Sequence, residues 1–567
     1  MGQCLVGADR QCDNHAHSLH RRLYILRNEK AHYSLRKGTF MKKPMIIIFL
    51  LIVVVLITAC NITGNTPEET LPTTETTDPS TSGDATKPTT PSLTTEELLL
   101  SLKNDLKTAM TENTKDYKVI FCDDANKPTL ADDEKAIWVQ ELFPAYPGSS
   151  NKAEASIKAV YVYYPMHDDP SQFSDAQLKT MGAIRVFAYL GIPDGATAQN
   201  KVSGIVCTHG GSDQAYAKYC LETVRHGFAA IAFDTEGCYA TSGTSAKADL
   251  IDKLGHTGKD KFATAKQKLE KQWMYYAISD CAFMNTVLRS LDCVDENKVG
   301  ITGISWGGLA VTIASCYDSR LAFCVPVYLS YFTSNQTNTG KFGSLSCNYG
   351  FDEFAAALWE DAATLEGSRV PTLIINSQKD TFADISSTSL TYNTLKKNNP
   401  HAYMLIKPDL VHGQKQGASP AEIYRFGKWV CSGYANENSF YTIDKEITYT
   451  LGNNYEINVT VPSNITNVNA TLYYTTSALS YNSSFALEQT FSTSNLVQKG
   501  SVTIDGNGNS VYTFTVNVPS NAYLYFLSFK GDSAYDASLP VTYEDAFKGK
   551  IYASTDVIVL NGGSING

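Results

Sequence analysis

Eleven consecutive residues, Lys298-Val299-Gly300-Ile301-Thr302-Gly303-Ile304-Ser305-Trp306-Gly307-Gly308, constrain the fold of this chain more than any other stretch. Residues 299–302 read as the end of a short buried strand, and residues 309–314 follow as an apolar run of helical character. Between them, Gly303 to Gly307 fits Gly-x-Ser-x-Gly. A serine on a sharp strand-to-helix turn sits in a strained backbone conformation, and side chains flanking it would clash; glycines there remove the clash. The helix that starts after Ser305 points its positive end at negative charge developing beside the hydroxyl. Ordinary strand-to-helix turns use the same pentapeptide, so its chemistry depends on partners elsewhere.

Those partners are placed by the rest of the chain. Residues 160–164, 184–189, 203–208, 228–233, 321–327, 370–375 and 403–406 read as strands, and residues 215–224, 273–291, 385–397 and 421–431 as helices. In the second of these helices Trp273, Tyr276, Ala277, Cys281, Met284, Val287 and Leu288 recur at helical spacing. Alternating strands and helices predict an α/β fold, a mainly parallel sheet covered on both faces. Ligands on such sheets bind at the carboxyl ends of strands. There stand His209-Gly210-Gly211-Ser212, Asp234-Thr235-Glu236-Gly237, Ser305, Lys379-Asp380 and Leu410-Val411-His412-Gly413. Residues 239–272 are polar and irregular. Residues 330–360, rich in Ser, Asn, Gly and aromatics, read as a lid or a pocket wall.

A serine hydroxyl is a weak nucleophile and needs an adjacent base, which in turn needs an orienting carboxylate. Past Cys60 the chain has six histidines: His167, His209, His226, His256, His401 and His412. His226 sits at a helix exit, His401 begins a strand, and His167 and His256 lie in polar loops. His209 precedes the serine, whereas His412 follows an acid at a strand end and has a glycine after it. The order Ser305, Asp380, His412 is the Ser…Asp…His order of α/β-hydrolases. Two aspartates compete in the acid loop. Asp380 suits a carboxylate at the strand's edge, and Asp384, directly before a helix start, suits an N-cap. The backbone N–H groups of Gly210, Gly211 and Trp306 are candidate oxyanion donors, and a tight turn is the other use for the glycine pair.

At this point residues 155–435 resemble a family. Phe187-Ala188-Tyr189-Leu190-Gly191, His209-Gly210-Gly211, Gln272-Trp273, residues 302–308, Pro326-Val327-Tyr328 and residues 376–380 are similar to the α/β-hydrolases grouped with acetyl xylan esterases, dienelactone hydrolases and prolyl-oligopeptidase-type serine peptidases. The resemblance covers about half the chain and implies an α/β-hydrolase fold. It puts the nucleophile on Ser305, the acid on Asp380 and the base on His412. The chain departs from the family at Ser377, where members often carry Gly. It departs again at Thr381-Phe382-Ala383-Asp384, where a short apolar-Pro segment is usual.

With 567 residues the chain exceeds one core, and two or three domains are expected. The formal charge is −10; the first 59 residues carry nine basic and three acidic side chains, so the remainder carries −16. That acidic body argues against a nucleic-acid partner. The 13 cysteines show no metal-ligand spacing, and no metal or organic cofactor is implied. Most sit in apolar runs and read as buried free thiols, with a disulfide left open.

Residues 1–40 read as an upstream over-extension, with Met41 as the start. Met41-Lys42-Lys43, the apolar run 45–57 and Thr58-Ala59-Cys60 read as a secretory signal. Ile57-Thr58-Ala59-Cys60 resembles the bacterial lipobox. That resemblance implies lipid attachment at Cys60 and an extracytoplasmic, membrane-anchored protein, a plain transmembrane anchor being the alternative. Residues 61–95 are a Thr/Pro-rich disordered linker. Thr94-Thr95-Glu96-Glu97 is a capping box before a helix of about four turns that opens the catalytic domain, residues 96–439. From 440 to 567 helical periodicity gives way to short Thr-, Tyr- and Val-rich runs separated by turns such as Asp505-Gly506-Asn507-Gly508. These predict an all-β sandwich of about seven strands, either a docking support or a glycan-binding module through exposed Tyr. The expected activity is hydrolysis of a carboxylic ester, an acetylated glycan among the candidates. A peptidase and a non-catalytic surface binding protein are the alternatives.

Overall fold

Six parallel strands end along one edge of a ten-stranded sheet, and every catalytic candidate lies just beyond those ends. The computed structural model describes residues 93–122, 136–165, 183–211, 214–236, 261–333, 349–380, 382–435, 442–443, 455–480, 487, 490–533 and 549–560. Cys60 and the whole 1–92 region, His167, His256 and Ser212 lie outside the described residues. Among the described residues no helix is long and apolar enough to cross a membrane.

The sheet strands are β1 (Lys118–Cys122), β2 (Ala136–Pro144), β3 (Lys158–Pro165), β4 (Ala183–Gly191), β5 (Val202–Thr208), β6 (Ala229–Phe233), β7 (Val294–Ile304), β8 (Cys324–Val327), β9 (Thr372–Asn376) and β10 (Ala402–Ile406). Their spatial order is β1-β2-β3-β4-β6-β5-β7-β8-β9-β10. From β6 to β10 every pairing is parallel, and β2, β3 and β4 pair antiparallel. Buried on both faces, the parallel strands are continuous apolar runs rather than alternating ones: β6 and β9 are buried at every position. Strands β1 and β2 were not expected. They are edge strands with several exposed positions, and their sequences lack a clear period of two.

Helices Trp273–Arg289 and Trp306–Tyr317 pack together on one face. Helix Ala421–Cys431 lies on the other, where Gly427 meets the Phe323 ring and Tyr424 stacks on His226. The capping box forms as expected: Thr94 and Glu97 exchange bonds at the start of helix Thr95–Asn113, which runs about a turn longer than read. Helix Glu353–Trp359 emerges from the region read as lid or pocket wall. Cys207, Cys220, Cys281, Cys293, Cys316, Cys324 and Cys431 are free thiols, and burial pushes those of Cys207 and Cys324 up to about 12.

After residue 440 two antiparallel sheets stack. One holds β11 (Thr442–Ile443), β12 (Tyr455–Val461), β15 (Val497–Gln498), β16 (Thr503–Ile504) and β17 (Ser510–Val516). The other holds β13 (Ile465–Thr475), β14 (Ser492–Asn495), β18 (Leu524–Ser533), β19 (Lys550–Ser554) and β20 (Ile558–Val559). The described strands outnumber the expected seven because short pieces such as β15, β16 and β20 pair alongside the longer strands. Strand β18 explains how this sandwich meets the α/β part. Tyr525, Leu527 and Phe529 enter the sandwich core, while the alternate residues Leu524 and Phe526 pack with Ile385, Met404 and Ile406. A strand shows its two faces to two different cores, so β18 is buried at nearly every position.

Polar contacts follow the same seam. Lys407 and Glu422 form a fully buried ion pair at 2.8 Å, Glu422 also accepts the Tyr552 N–H at 2.6 Å, and the Ile406 N–H donates to Ser554 Oγ at 2.8 Å.

Candidate active site

The turn after β7 is built by backbone contact. Ser305 has φ 55° and ψ −121°, a left-handed conformation that costs a non-glycine residue about 1–3 kcal/mol. Its N–H donates to Val327 O at 2.9 Å, which ties the strained residue to β8. A Cβ on Gly303 would lie 2.3 Å from Gly307 O, and one on Gly307 would lie 2.4 Å from His209 O. Both positions therefore exclude a side chain, as the motif predicts.

The loop after β10 brings His412 over this serine. His412 Nε2 lies 3.0 Å from Ser305 Oγ, and its Nδ1 lies 2.7 Å from Asp380 Oδ2. The Asp380 side chain is fully buried, while that of His412 keeps 15% of its exposure. The other Asp380 oxygen accepts the N–H groups of Phe382 and Ala383, both at 2.8 Å. Asn376, at the end of β9, holds this acid loop by donating to Ala383 O and Thr388 Oγ1. Asp384 does something else: its Oδ1 accepts the N–H groups of Ser386 and Ser387 at 3.0 Å and caps helix Ile385–Leu395. The two aspartates thus separate: Asp384 caps a helix, and Asp380 meets His412.

The glycine loop after β5 lies alongside. Gly211 packs against the Trp306 ring, and a Cβ added to Gly210 would lie 3.4 Å from Ser305 Cβ. The Gly210 N–H, one of the three candidate oxyanion donors, is engaged: it donates to Gln414 Oε1 at 3.2 Å. His209 supports the loop from behind, with Nδ1 2.6 Å from Gly210 O and Nε2 3.1 Å from Asp234 Oδ1. Burial disfavours its charge, but the bond and charge of Asp234, helped by Glu236, hold the imidazolium above its ordinary value. The remaining described histidines have structural places; His226 stacks on Tyr424 and His401 on Tyr434.

Three features of the site were not read from the sequence. Tyr328 stacks on the His412 ring at 4.3 Å and donates to Val411 O at 2.6 Å, which fixes the base from below. Phe262, Trp273, Trp306, Tyr349 and Phe351 form an aromatic cluster beside the serine turn. Behind it, Lys261 Nζ sits 2.5 Å from Glu236 Oε1 and 3.9 Å from the Trp273 ring centroid. Phe262 falls in a stretch read as polar and irregular, where no periodicity marks it. Tyr328 stood in Pro326-Val327-Tyr328 without an assigned role.

Residues 258–432 match the model of the prolyl oligopeptidase family. That segment contains Ser305, Asp380 and His412. The domain is a serine hydrolase of the α/β-hydrolase fold. Among solved structures, the hydrolase is similar to an acetyl xylan esterase from Paenibacillus sp. R4, at 16% identity and a TM-score of 0.37 over 57% of this chain and 92% of that one. Acetyl xylan esterase 1 from Thermoanaerobacterium sp. JW/SL YS485 gives 14% and 0.37 over 59% and 99%. The acylaminoacyl peptidase of Pyrococcus horikoshii gives 16% and 0.33 over 52% and 47%. A comparison of the hydrolase with curated proteins finds no match.

Proposed function

We propose that this hydrolase cleaves carboxylic esters through an acyl-enzyme on Ser305. The observation that carries the reading is His412 standing between Ser305 Oγ at 3.0 Å and Asp380 at 2.7 Å. His412 takes the hydroxyl proton as Ser305 attacks the carbonyl, then gives it to the departing alcohol; Asp380 orients the ring and stabilises its positive form. The N–H groups of Gly211 and Trp306 hold the oxyanion. Water, activated by the same histidine, then releases the acid and restores Ser305. Attachment through a lipid on Cys60 would present the cleft to extracytoplasmic polymers, and acetyl groups on a glycan are the substrate class that this placement favours.

Hydrolysis of short peptides is the second reading, favoured by the prolyl oligopeptidase match. Against it, Glu236 is already paired with Lys261 and offers no free carboxylate for a substrate amine.

Residues 96–567 should turn over p-nitrophenyl acetate faster than longer acyl esters and leave aminoacyl-nitroanilides intact. Ser305→Ala should abolish both turnover and fluorophosphonate labelling. Cleavage of the anilides alone would decide for the peptidase. For the anchor, a mature N-terminus at any residue but a lipidated Cys60 would rule out the lipoprotein.

A further inference from the structure

His412 has two aromatic neighbours, and they differ in exposure. Tyr328 stacks on the imidazole at 4.3 Å and is fully buried. The Phe382 ring lies 4.9 Å from the imidazole, tilted by 53°, and is 50% exposed. Next to the histidine in the chain, Val411 is 64% exposed. Single apolar residues scattered over a surface are ordinary. Here two of them adjoin the base, one from the acid loop and one from the base's own loop. Both are held by bonds of the site itself. The Phe382 N–H donates to Asp380 Oδ1 at 2.8 Å, and Val411 O accepts the Tyr328 hydroxyl at 2.6 Å.

The chemistry of the site says which part of the substrate passes here. His412 Nε2, 3.0 Å from Ser305 Oγ, must hand its proton to the leaving oxygen. That oxygen therefore comes within hydrogen-bond reach of the imidazole, and the alcohol attached to it lies beside the histidine. Phe382 is the half-exposed ring in contact with that histidine, one residue removed from the nucleophile. An exposed aromatic face gains most from a flat, apolar partner.

We propose that Phe382 is the platform for the alcohol part of the ester and favours an alcohol with a flat, largely apolar face, such as a pyranose or an aryl ring. Val411 supplies further apolar surface from the base loop. This assignment rests on Ser305 and His412 acting as proposed above. Once the alcohol has left, Phe382 has nothing of the substrate to hold, so it acts on formation of the acyl-enzyme and not on its hydrolysis.

Acetyl esters of different alcohols pass through one acetyl-enzyme, which separates the two steps. Phe382→Ala should lower kcat/KM for naphthyl acetate about 10-fold and for ethyl acetate far less. Hydrolysis of the acetyl-enzyme, read in a single turnover, should keep the wild-type rate. Phe382→Tyr keeps the ring and should restore kcat/KM. A mere prop for the base would behave differently, because His412 serves both steps: Phe382→Ala would then slow acetyl-enzyme hydrolysis as well. That pattern, an equal loss on the naphthyl and ethyl esters, or no loss on either would overturn the platform. An acetylated methyl pyranoside, run beside the naphthyl ester, tells which flat alcohol the ring takes, since the larger loss names it. Failure of the wild-type enzyme to label with fluorophosphonate would instead remove the nucleophile, and this assignment with it.

Discussion

Asp380 Oδ2 meets His412 Nδ1 at 2.7 Å, although 32 residues separate them in the chain. Four residues beyond, Asp384 turns to the helix that it caps. Asp380→Asn should leave stability nearly unchanged and cut turnover by about 10⁴-fold, because the imidazole loses its orienting charge. Asp384→Ala should cost about 0.5–2 kcal/mol of stability with turnover largely kept. Paired kinetics and chemical denaturation of both variants check this, and the reverse pattern would make Asp384 the acid.

The buried pair Lys407–Glu422 makes a second case. Neither side chain has any exposure, and Tyr552 of the sandwich donates its N–H to the same carboxylate. Glu422→Gln should destabilise the protein by about 3–5 kcal/mol, since it leaves a buried ammonium unpaired. Adding Lys407→Met should recover most of that loss. Denaturation midpoints that simply add in the double variant would mean that the two groups do not act as a pair.

Asp280 makes stability depend on pH. It is wholly buried in helix Trp273–Arg289, and burial pushes its carboxyl up to about 8, with the charge of Asp234 adding and the bond from the Tyr164 hydroxyl at 2.7 Å opposing. Its folded value thus lies above the unfolded value of about 3.9. Between the two, the folded chain keeps a proton that the unfolded chain has released, so this group's contribution falls as pH rises from about 4 to about 8. The sum is on the order of 5 kcal/mol. Asp280→Asn should therefore gain stability over the wild type at pH 8 relative to pH 4. Parallel denaturation curves at the two pH values would contradict it.

The sandwich should behave as a support. Phe526 is fully buried between it and the hydrolase. Phe526→Ala should cost about 3–5 kcal/mol, and deletion of residues 440–567 should lower soluble yield by exposing Ile385, Met404 and Ile406. Binding of the isolated module to insoluble glycans would point instead to recognition.

Much of the site was legible in the chain because its signals are local. Gly303 and Gly307 flank a turn that excludes side chains, Thr94 and Glu97 meet three residues apart, and Asp384 caps the helix that begins at the next residue. Parallel strands buried on both faces write themselves as apolar runs, and their order puts Ser305, Asp380 and His412 at carboxyl ends. The Ser…Asp…His order, the elimination of the other histidines and the family resemblance all point to these three, and the fold brings them within hydrogen-bonding distance.

What only the tertiary structure decided are the contacts between residues with no shared period. Gln414 meets Gly210 across 204 residues, and Tyr164 meets Asp280 across 116. Leu524 and Phe526 look like any strand residues until a second core is found against their face. A buried polar group or a two-sided strand is defined by what folds against it. Hydrophobic period and turn chemistry describe a segment alone, so they carry no record of that neighbour.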